Sequence, residues 1–193
     1  MVFRIISRSL CLVVLVLEIK GLSLSFRERR WNVLIYYTQI SNIAAALSSA
    51  LLLVFDQPVW VRAVRYVSTC MLIMTLLITV FVLIPMGGNA KKLLWSGNGL
   101  YHHVLCPVIS SVSYIIFESH ASAGMIWIPV AVTAVYGGIM LYLNWIRYVD
   151  GPYPFFHVHK QSVLATVLWT AALLAVIAAV SALVWLVGGT GRI

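Results

Sequence analysis

The sequence predicts an all-α polytopic membrane protein, a single domain over residues 1–193 built as a bundle of about six transmembrane helices. Two observations carry this. Apolar residues of the AVILMFWYC set make up 62% of the chain and charged residues only 9%, with a mean hydropathy of +1.00. A soluble domain of this length needs far more charge to cover its surface. The apolar residues also fall in long runs rather than in the short alternation of a barrel strand. Six spans of roughly 20 residues each leave only short loops, so there is no room for a catalytic domain outside the bundle.

The first run covers about residues 9–26. Arg4 and Arg8 before it mimic the basic start of a signal peptide, but no small-x-small cleavage site follows, and Glu18 and Lys20 interrupt the run. It reads as a retained helix. The second span, about 31–55, follows the charged turn RERR at 27–30. The third, about 66–86, is closed by Pro85 and the Gly87-Gly88 pair. The fourth runs from Asn98 to Phe117, the fifth covers about 124–146, and the sixth, about 162–188, is the purest apolar run. Among the connections only RYVDGPYPFFHVHKQ at 147–161 has the length and polarity of a feature. No repeat or low-complexity tract divides the chain.

The net charge of +8 comes from thirteen Lys and Arg residues scattered among loops and helix ends. That distribution suits anionic headgroups and membrane lipids as partners, not nucleic acid. Counting loop cations by side gives five (Arg4, Arg8, Arg62, Arg65, Arg192) against eight, which tilts the odd-numbered loops towards the cytoplasm. Cys11, Cys70 and Cys106 lie within apolar stretches and read as small core residues.

Polar groups inside a bilayer face the bundle interior and often mark function. Thr38, Asn42, His102, His103, Glu18, Asn144 and the loop carrying Asp150, Tyr153, His157 and His159 all fall near one membrane face. The opposite face carries only Asp56, Glu118 and His120, all at loop edges. A hydroxyl and an imidazole at matched depth suit a nucleophile–base pair, with Asn donors for an oxyanion. The competing reading is that Thr38 and Asn42 simply bond neighbouring helices. The histidines also suggest zinc, but adjacent residues on one helix cannot easily chelate one ion and no HExxH pair exists, so no metal and no other cofactor is expected.

Three segments, YYTQISN at 36–42, YHHVLCP at 101–107 and DGPYPFFHVH at 150–159, the last preceded by YGGIMLYLN at 136–144, occur in the order and at the helices that resemble the androgen-induced and androgen-dependent protein family and its small bacterial six-span relatives. The resemblance implies an intramembrane hydrolase of fatty acid esters, with membrane lipids and a lipid ester as partners and a bacterial plasma membrane as location. It places the nucleophile on Thr38 and the histidine on His103 or His102, with Asn42, Asn144 and Tyr153 beside the substrate. Thr38 is followed by Gln39-Ile40-Ser41-Asn42, closer to the bacterial branch, where function is mostly unassigned. A non-enzymatic lipid-binding or transport bundle and an accessory membrane subunit are the alternatives. Substrate identity and oligomeric state are not legible.

Overall fold

The computed structural model describes residues 2–55, 57–119 and 121–188. Asp56, His120 and Arg192 lie outside them. The described residues form an all-α bundle of six long helices: α1 (Val2–Arg29), α2 (Tyr37–Val54), α3 (Val59–Leu83), α4 (Gly97–Phe117), α5 (Trp127–Trp145) and α6 (Val163–Val187). Five of them, α2 to α6, are long and apolar enough to cross a membrane. The chain is therefore a polytopic membrane protein. α1 stands outside that set; its 28 residues reach about 42 Å at 1.5 Å per residue, and it packs lengthwise on α2.

The second helix begins at Tyr37, not at Trp31, because Arg30–Ile35 forms a tighter turn and Tyr36 is extended. Thr38 therefore stands in the first turn of α2, where backbone N–H groups have no partner within the helix. The third helix begins at Val59, seven residues before the expected start, so Arg62 and Arg65 belong to the helix and not to the loop. The turn that follows α3 closes on Gly87, whose φ of 99° only glycine adopts without strain.

Two helices are locally widened. The last turn of α3, Thr79–Leu83, and the turn Tyr101–Leu105 of α4 have π geometry. Pro107 gives the reason in α4. It has no N–H for the carbonyl of His103, and its ring crowds that carbonyl, so the chain closes a wider ring in which the Cys106 N–H donates to the Tyr101 oxygen. Both histidines sit on this widened turn.

The apolar core gathers Tyr66, Met71 and Met74 of α3, Tyr114 of α4, Tyr136 of α5 and Ile177 of α6, among others. The outward faces of α5 and α6 keep large apolar side chains exposed, such as Val135, Ile139, Val167 and Leu168. Such a face is stable only against hydrocarbon.

Candidate functional site

A cavity of roughly 800 Å³, its open mouth included, lies between α2, α3, α5 and α6. Its walls are apolar, with Met74, Ile78, Leu141, Leu173 and Leu174 contributing. Hydroxyls stud them: Thr38 from α2, Thr75 and Thr79 from α3, Thr133 from α5 and Thr170 from α6. Tyr153, Phe155 and Phe156 form the roof. Ala134 and Gly138 of α5 line the cavity and are exposed, with Gly137 half-buried between them. A Cβ on either glycine would meet nothing within 4 Å. The mouth thus opens sideways along α5, towards the bilayer.

The roof is held by Asn144. Its Nδ2 donates to the Val149 carbonyl at 3.1 Å, and its Oδ1 accepts from the Val158 N–H at 3.1 Å. One amide therefore ties both ends of the loop to the end of α5. His157 Nε2 donates to the Gly151 carbonyl at 2.9 Å and His159 Nε2 to that of Trp145 at 3.0 Å, so both loop histidines are engaged with backbone. Asn144→Ala is expected to destabilise the loop by about 1–3 kcal/mol, the cost of leaving its two backbone partners unpaired. Faster proteolysis within 147–161 would register it; a loop as resistant as the wild type would speak against the clamp.

Thr38 is 7% exposed and faces Tyr153. The two hydroxyls are 3.3 Å apart, and the Thr38 N–H donates to the Tyr153 oxygen at 3.4 Å. Tyr153 thus caps the first turn of α2. Burial pushes its phenol above the ordinary value, so it stays protonated at neutral pH and is a poor base. Asn42 is buried behind Thr38, donating from Nδ2 to the Thr38 carbonyl at 2.6 Å. It braces the helix and does not line the cavity.

The histidines divide. His103 Nδ1 is 2.8 Å from the Thr79 hydroxyl, which is itself 2.8 Å from the Thr75 carbonyl. A carbonyl only accepts, so the single Thr79 proton goes to Thr75, and His103 Nδ1–H donates to Thr79. This leaves His103 Nε2 as the unprotonated nitrogen. His102 points the other way, with Nδ1 3.2 Å from Gln39 Nε2 and Nε2 3.7 Å from Glu18 Oε2. Among the described residues no hydrogen bond joins Thr38 to either imidazole. The structure therefore brings together Thr38, Tyr153 and, through Thr79, His103 around the cavity, and it sets Asn42, Asn144 and His102 in supporting or separate positions. Thr75, Thr79 and Thr133 were not singled out by sequence. The signal that could have found two of them is the four-residue spacing of Thr75 and Thr79, which places both on one face of α3; Thr133 carries no such signal.

A second polar centre lies at the opposite end of the bundle, where only loop-edge groups were expected. Arg65, fully buried, donates from Nε to Glu118 Oε2 at 2.9 Å and from Nη2 to Oε1 at 2.7 Å. Ser113 donates to the same carboxylate at 2.7 Å. Among the described residues no group of three or more His, Cys, Asp or Glu side chains is placed to hold a metal ion. No family model, curated protein or solved structure matches the chain.

Proposed function

We propose that this protein takes the acyl chain of a membrane lipid into the cavity between α2, α3, α5 and α6. The observation that carries the reading is the cavity itself: apolar walls, hydroxyls from four helices and a mouth along Ala134, Gly137 and Gly138. Few precisely placed polar groups in an apolar pocket are what a lipid ester needs, because its chain is driven by burial and its carbonyl by one or two donors. Native mass spectrometry of the protein in mild detergent tests it. An acyl lipid retained by the wild type supports the reading; a protein that releases every acyl lipid under conditions that preserve its fold opposes it.

Hydrolysis of that ester is the second reading, and a specific feature favours it. Thr38 stands on the cavity wall in the first turn of α2, with its N–H turned to the site and the positive end of the helix dipole behind it. Negative charge developing on a carbonyl oxygen there would be stabilised. His103, held by Thr79 with Nε2 free of its proton, would serve as the base once brought to Thr38. The reading asks Thr38 to exchange Tyr153 for His103 as its partner when substrate enters. A fluorophosphonate probe that labels the wild type and fails to label Thr38→Ala supports turnover. Lipid retention without labelling leaves binding alone.

A further inference from the structure

We propose that Glu18 and His102 form an intramembrane proton-binding site, in which a neutral Glu18 carboxylic acid shares its proton with the imidazole. The site is separate from the cavity and draws on none of its walls.

Glu18 of α1 is fully buried, and neither carboxyl oxygen is hydrogen-bonded to a nitrogen or oxygen; the Cys106 thiol lies beside it. His102 of α4 is 1% exposed and its Nε2 is also unpartnered. These two atoms, Glu18 Oε2 and His102 Nε2, face each other at 3.7 Å. The backbone is shaped for the approach: Gly21 lies one turn from Glu18 on the same face of α1, and a Cβ there would collide with the imidazole. Among the described residues no lysine or arginine reaches the carboxyl. Lys20 is exposed and lies over the Tyr101 ring at 5.3 Å, and Arg65 is committed to Glu118. The remaining titratable group beside Glu18 is the Cys106 thiol of α4, and α2 contributes only the uncharged amide of Gln39.

The missing partners decide the protonation state. With Gln39 Nε2 donating to His102 Nδ1, the imidazole carries its proton on Nε2, and an ionised Glu18 would have only that N–H and the weak Cys106 thiol as donors in a dry interior. Such a charge is strongly disfavoured. Gln39 Oε1 is unpartnered in that arrangement as well. The oxygen and nitrogen of an amide exchange places by a simple flip. After it, Gln39 Oε1 accepts from His102 Nδ1–H, and His102 Nε2 is left as the acceptor facing a protonated Glu18, which bonds it once the 3.7 Å gap closes by about 1 Å. Gln39 Nε2 takes over the unpartnered place of Oε1, so the gain lies in giving Glu18 Oε2 and His102 Nε2 complementary donor and acceptor roles, and the site carries no net charge. Moving the proton from Glu18 Oε2 to His102 Nε2 breaks one O–H bond and forms one N–H bond, leaving a carboxylate and an imidazolium. The pair therefore stores one transferable proton.

Infrared spectroscopy of the full chain in detergent, with carbon-13-labelled glutamate, tests this directly. The sequence holds three glutamates; Glu28 is exposed and Glu118 is paired with Arg65, so both give carboxylate bands. The expected result at neutral pH is one isotope-sensitive carboxylic-acid band, lost in Glu18→Gln and moved to higher frequency in His102→Gln, where its acceptor weakens. Should Glu18→Gln not fold, the His102→Gln shift still assigns the band. Absence of an acid band, or a band unmoved by either substitution, overturns the proposal. So does a band that vanishes when sodium replaces choline at constant pH, which would make the site one for a metal cation.

Discussion

Arg65→Ala is expected to destabilise the bundle by about 3–5 kcal/mol, the largest effect of any single substitution considered for this protein. The reason is not the strength of the ion pair as such. Arg65 and Glu118 are 0% and 2% exposed, and removing the guanidinium leaves a carboxylate whose remaining hydrogen-bond partners among the described residues are Ser113 and Cys11. The pair is bidentate, so its geometry is fixed by two bonds and not one. Thermal unfolding in detergent measures the loss. Replacing both partners with apolar residues, Arg65→Met with Glu118→Leu, should recover most of it, because no unpaired charge remains. A single variant as stable as the wild type would show that the carboxylate is hydrated or neutral without its partner.

Gly138→Leu is expected to lower acyl-lipid retention at least about tenfold, or ~1.4 kcal/mol of binding, with no loss of stability. A Cβ at this position meets no atom of the protein within 4 Å, so the branch point is unstrained, and replacing glycine within a helix removes a backbone entropy penalty. The added leucine occupies the mouth. Gly138→Ala serves as the comparison and should retain lipid as the wild type does. Lipid retained equally by the leucine variant would mean that the chain reaches the cavity by another route.

The architecture was legible because it rests on quantities summed over many residues. Apolar runs of the length of a bilayer are hard to mistake, and the loop at 147–161 announced itself by polarity among apolar neighbours. Individual placements were less legible. Arg65 was counted as a loop cation because it precedes the purest part of the third run, and Glu118 as a loop-edge acid. Their pairing joins residues 53 apart in the chain, and no local pattern reports such a distance. The two histidines are adjacent on one helix and face different neighbours, Thr79 for His103 and Gln39 with Glu18 for His102. Which one faced the cavity side depended on the widened turn before Pro107, where the ordinary 3.6-residue count no longer applies. Thr38 stood out as a threonine in an apolar run, but its partner came from Tyr153, 115 residues away.

That partnership makes two parts of the protein inseparable. The phenol that closes the first turn of α2 belongs to the loop roofing the cavity, so the loop cannot lift without stripping the helix of its cap. On the proposed reading of the cavity as a lipid site, a ligand tall enough to push Tyr153 aside would expose the hydroxyl and the N–H of Thr38 in the same movement. A shorter one would leave both covered, so the height of the occupant would be read out as the availability of Thr38.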